Sequence, residues 1–102
     1  MNFKPDNFQI EVLSEFNQGN KEVAISKLKN YLVVNPKDIN ARLNLAYMYI
    51  NFNLIHNAII EYEYILKNSQ NLQAMFNLGI CFSRLEKFRK SENLLKKIIK
   101  ID

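Results

Sequence analysis

A chain of 102 residues supports one domain with a modest core, and a second domain would leave each too small to seal itself from water. Nearly half of the residues (48%) are apolar while Gly and Pro number two each, which favours long helices over a turn-rich β architecture. The net charge of +4 is spread over helices in which Lys and Glu alternate, which disfavours nucleic-acid binding; one cysteine excludes an internal disulfide; and the apolar runs fall far short of the ~20 residues of a membrane span.

Apolar periodicity predicts six helices, over about residues 7–18, 21–34, 39–51, 55–68, 72–85 and 88–100. In the first, Val12, Leu13 and Phe16 are expected to face inward, because the register one residue earlier would bury Glu11 and Glu15, and unpaired carboxylates are costly to desolvate. Gln18-Gly19-Asn20 breaks the pattern, with Gly19 or Asn20 suited to a left-handed conformation. The second helix carries the stripe Ala24, Ile25, Leu28, Tyr31 and Leu32 and stops at Asn35-Pro36-Lys37-Asp38, where proline lacks a donor and biases Asn35 away from helical angles.

The third helix contains Asn44-Leu45-Ala46 and Tyr49, and Asn51 to Asn53 follow as a polar break. The fourth repeats the stripe of the second 34 residues on, as Ala58, Ile59, Tyr62, Ile65 and Leu66, ending before Ser69 to Asn71. The fifth repeats the third after 33 residues, as Asn77-Leu78-Gly79 with Phe82 in the place of Tyr49. In the sixth, Ser91, Glu92, Leu95, Ile98 and Ile99 lie 33 residues beyond the stripe of the fourth. Two kinds of helix alternate, so the chain reads as one domain of three helical hairpins, about 5–37, 38–71 and 72–102.

Little here can do chemistry, and no catalytic residue, metal or cofactor is expected. His56 is the one histidine and is expected in a turn, Cys81 reads as an inert packing residue, and together they cannot supply a zinc site. Glu61 and Glu63, two apart on a helix, point in different directions, and the two glycines form no phosphate-binding loop.

The period, together with Leu45, Ala46, Tyr49, Ala58 and Tyr62 in the second hairpin, Leu78, Gly79, Phe82, Phe88, Ser91 and Leu95 in the third and Gly19, Ala24, Leu28 and Pro36 in the first, resembles the tetratricopeptide repeat. The resemblance covers almost the whole chain and implies an all-α fold, a right-handed α-solenoid of three antiparallel helix-turn-helix units. It departs from the family where Glu11 and Glu15 take places of a large apolar residue and an aromatic. Small residues at Ala24, Ala46, Ala58, Gly79 and Ser91 are expected where paired helices cross too closely for a branched side chain.

In that family the first helices of successive units line a concave groove for a peptide or helix of another protein. The matching positions are Gln9, Ile10 and Leu13, then Asn40, Leu43, Asn44, Tyr47, Ile50 and Asn51, then Gln73, Phe76, Asn77, Ile80, Ser83 and Arg84. Asn44 and Asn77 are the first candidates to orient a ligand backbone, since an amide donates and accepts at once. Helical spacing alone leaves open whether Leu43, Tyr47, Phe76 and Ile80 are core or groove. An acidic tail is a poor fit, because a carboxylate clamp of the kind found in co-chaperones needs cations where this chain has Gln9, Leu13, Gln73 and Asn77.

The implied function is an adaptor or assembly-chaperone module in a reducing, cytoplasmic compartment, with no membrane partner. A second reading is a structural or self-associating unit of a larger array. The last helix has more apolar positions than one packing face needs, and with no capping helix after it Leu94, Ile98 and Ile101 are candidates for an end interface or homodimer.

Overall fold

The computed structural model describes residues 5–101 and the side chains of 7–100; among these are six helices and no strand. They are α1 (Pro5–Asn17), α2 (Lys21–Val34), α3 (Ile39–Asn51), α4 (Ile55–Leu66), α5 (Leu72–Arg84) and α6 (Phe88–Ile101). The predicted elements stand, with α1, α4 and α5 ending one or two residues early, and His56 lies in the first turn of α4 rather than in the loop before it.

The turns explain why these helices stop where they do. Gly19, Asn53 and Glu86 all have positive φ, at 97°, 60° and 61°, and they are spaced by the repeat itself. Beyond each, an amide reaches back over the helix end: Asn20 N–H donates to Glu15 O at 3.0 Å, Leu54 to Tyr49 and Lys87 to Phe82 at 2.8 Å. The left-handed residue adds its own short bond, from Gly19 to Phe16 at 3.1 Å, and from Asn53 to Ile50 and Glu86 to Ser83 at 2.9 Å. This pair of bonds is the Schellman closure of a helix, made three times in one register.

Entry into the next hairpin also repeats. The Asp38 carboxylate accepts from the Ala41 N–H at 3.1 Å and Asn71 Oδ1 from the Ala74 N–H at 2.8 Å, each capping a first-type helix. Asp38 accepts a second bond from the Tyr31 hydroxyl at 2.6 Å, which ties the end of α2 to the start of α3.

Each helix packs on its neighbours in the chain, and α1 also reaches α3. The result is elongated, 47 × 26 × 20 Å, with a radius of gyration of 14.4 Å against roughly 13 Å for a compact globule of similar length. Its core runs lengthwise through Val12, Phe16, Leu28, Leu45, Met48, Tyr62, Ile65, Leu78 and Cys81, all buried. In α1 the inward register holds for Val12 and Phe16, Leu13 is half-buried, and Glu11 is exposed. Glu15 is held by Lys27 at 2.7 Å, which offsets part of the cost of drawing it toward the core. Its Oε2 is buried without a partner, and the hydrogen bond from Lys27 to Oε1 raises the Lys27 pKa.

One packing expectation is refined and another is corrected. A Cβ added at Gly79 would come no closer than 3.8 Å to Ser91 Oγ, so the crossing of α5 and α6 has room for a methyl group. In α6, Leu94 packs against the core and Ile98 is half-buried, while Leu95 and Ile99 face solvent. The candidate end interface therefore shifts by one position along the helix, and the side chain of Ile101 lies outside the described residues.

Candidate partner-binding groove

The face predicted to form a groove is assembled by α1, α3 and α5. A depression of about 360 Å³ is lined by Gln9, Ile10 and Leu13 of α1, Asn40, Leu43 and Asn44 of α3, and Gln73 of α5. Every lining residue is one of the sequence candidates, and none carries a charge. Ile10, Tyr47 and Phe76 are 66%, 49% and 53% exposed, far too open for core positions, whereas Leu13, Leu43 and Ile50 pack against the core and Ile80 is half-buried. Of the residues that spacing left open, Leu43 therefore belongs with the core, Ile80 is intermediate, and Tyr47 and Phe76 are surface residues outside the lining of the depression.

Tyr47 does not stand free: its ring lies 6.2 Å from that of buried Phe16, which also meets Phe52 edge-on. Lys21 sits over both Phe rings at 5.2 and 5.8 Å. The hairpin of α1 and α2 therefore supports α3 at Tyr47 through aromatic contacts.

The recurring asparagines have internal partners. Asn44 Nδ2 donates to Gln9 Oε1 at 2.7 Å, a bond across 35 residues that joins α3 to α1, and Gln9 is itself buried. Asn77 is hydrogen-bonded to the hydroxyl of Tyr62, joining α5 to α4. Burial pushes the Tyr62 pKa up to about 12, the neighbouring Cys81 adds to this, and the Asn77 bond offsets a part. Burial also raises the Cys81 thiol. Asn51 Nδ2 donates to Tyr47 O at 2.9 Å within its own helix. The amides that face solvent along the groove are instead Asn40 and Gln73, with Ser83 and Arg84 exposed at the end of α5.

Sequence reasoning missed a larger depression of about 470 Å³ between α2 and α4, lined by Glu22, Lys29, Tyr49, Phe52 and Asn57 among others. Tyr49 there is hydrogen-bonded to Asn57, and burial, then the charge of Glu61, raises its pKa. It also missed a polar cluster at the back of α3, where Arg42 pairs with Glu61 at 2.7 Å, donates to Pro36 O at 2.8 Å and stacks 3.5 Å over the Tyr64 ring. Neither feature follows from periodicity, because each depends on which side chains meet between helices.

Among the described residues no helix is long and apolar enough to cross a membrane, and no cluster of His, Cys, Asp or Glu is placed to hold a metal ion. No protein-family model matches the chain, and no curated protein matches it.

Proposed function

We propose that the chain is a tetratricopeptide-type interaction module that holds an amphipathic helix or an extended apolar segment of another protein against α1, α3 and α5. The observation that carries the reading is the uncharged depression joining these three helices, with Ile10, Tyr47 and Phe76 exposed on them. The threefold recurrence of the Schellman turns and the repeated caps support the tandem-repeat assignment. Apolar anchors separated by amides suit a ligand that buries a few large side chains and pairs its backbone with Asn40 and Gln73.

The most exposed anchors supply the test. Ile10→Ser with Phe76→Ser removes apolar surface from the groove while leaving the core intact, so the melting temperature should stay within a few degrees of the parent. Pull-down from a lysate of the source organism should then lose its captured protein. Capture of the same protein by the double variant would overturn the reading, as would micromolar binding of a peptide ending in acidic residues.

A further inference from the structure

The outer face of α6 differs from its counterparts in a way the repeat makes measurable. Ile55 and Tyr62 of α4 are 6% and 1% exposed, and the residues one repeat later, Phe88 and Leu95, are 63% and 44% exposed. Ile99, which follows half-buried Leu66, is 73% exposed. The molecule itself shows what covers such a face. Tyr62 is met by α5, whose Asn77 bonds its hydroxyl and whose Cys81 lies beside it, within the stripe Ala74, Leu78 and Cys81. In α3 the same spacing holds Ala41, Leu45 and Met48, all buried.

Phe88, Leu95 and Ile99 are bordered by a second stripe one residue on, Arg89, Lys96 and Lys100, all exposed and all cationic. Of these, Lys96 meets a carboxylate, Glu92 of its own helix at 3.2 Å. Between residues 86 and 100 there are six cations against two carboxylates, a local excess of +4 that equals the net charge of the whole chain. A second copy packed antiparallel on α6 about a two-fold axis perpendicular to the helix would set the two cationic edges against each other, which opposes that tail-to-tail dimer.

We propose that the outer face of α6 docks a helix of a partner protein that repeats the stripe of α5, one small residue followed four and seven positions on by larger apolar ones, and that carries carboxylates along the adjoining edge. The small residue lets the helices approach, the larger ones cover Leu95 and its neighbours, and the carboxylates meet Arg89, Lys96 and Lys100. This site is separate from the groove on α1, α3 and α5.

The probe is a fluorescein-labelled peptide with the sequence of residues 71–85 carrying Met75→Glu and Phe82→Glu, one position beyond the stripe, titrated with the full chain by anisotropy. Saturable binding is expected with Kd on the order of 100 µM, as suits a single small helix face. It should weaken severalfold from about 0.05 to 0.5 M salt. It should also fall at least tenfold in Leu95→Glu/Ile99→Glu and in the uncharged Leu95→Gln/Ile99→Gln, both at solvent-facing sites. Ile10→Ser/Phe76→Ser should leave it unchanged, which separates this site from the groove. Absence of binding, or binding that survives both α6 variants, would overturn the proposal. So would phosphatidylserine vesicles, or a dimer seen by sedimentation, responding to those variants where the peptide does not.

Discussion

Leu28 in α2 and Leu95 in α6 hold the same place in the first and third hairpins, yet Leu28 is fully buried and Leu95 is 44% exposed. Nothing in the two residues causes the difference. The cause is the neighbour, since α3 packs on α2 whereas among the described residues nothing packs on the outer face of α6. The burial value of a repeat position therefore belongs to the interface between units rather than to the unit, as expected for a nearly one-dimensional array. Leu28→Ala should cost about 2–5 kcal/mol and Leu95→Ala about 1, read from urea unfolding midpoints at constant m-value. Equal losses at the two sites would break the comparison by showing Leu95 covered in solution.

High pH sharpens the same contrast. Tyr62, the middle member of the column, has its pKa raised from 10.0 to about 12, chiefly by burial, and Leu95 has nothing to ionise in the corresponding place. A raised folded-state pKa means that the unfolded chain releases its proton first. Stability from Tyr62 is then complete below about pH 10 and is lost as pH rises through about 12, by roughly 2–3 kcal/mol. Cys81 and Tyr49, raised in the same direction, deepen the decline, and the thiol starts it nearer pH 9. Tyr62→Phe loses the Asn77 bond at neutral pH but should flatten the profile between pH 10 and 12. A profile unchanged in Tyr62→Phe would place the alkaline sensitivity elsewhere.

Much of this arrangement was legible because spacing is a property of sequence. The stripes of α2, α4 and α6, the breaks at Gly19 and Pro36 and the inward register of Val12 and Phe16 all follow from counting residues and pricing buried charge. The depression on α1, α3 and α5 was reachable through the family resemblance, and its lining residues were all among the candidates. What spacing could not convey is which side chain meets which across helices. Asn44 and Asn77 recur at one position, where a ligand role was the natural expectation, and spacing gives no sign that each also has an internal partner, Gln9 and Tyr62. The shift from Leu94 and Ile98 to Leu95 and Ile99 has a similar origin, since both sets lie on apolar stripes of α6 and only the packing of α5 decides which is covered. Glu86 escaped notice because its residue type gives no hint of a left-handed turn.

The turns extend the contrast between the two ends of the chain to the backbone. Gly19 adopts φ 97° where glycine is at ease, while Glu86 adopts φ 61° in the equivalent turn with a side chain that disfavours it. Glu86→Gly should therefore stabilise the third hairpin by about 1 kcal/mol, less the entropy that glycine adds to the unfolded chain, and Gly19→Ala should destabilise the first by about as much. Thermal melts should move in opposite directions by about 4–8 °C at most for a chain of this size. Asn53, at φ 60°, belongs between them because asparagine tolerates this region better than glutamate does. If Glu86→Gly had no effect on the melt, the third hairpin would be opening before the rest of the stack. Opening in that order is what an α6 covered on one side only would produce, so a null result there joined to a large loss in Gly19→Ala would place the first unfolding event at the end where Leu95 lies open.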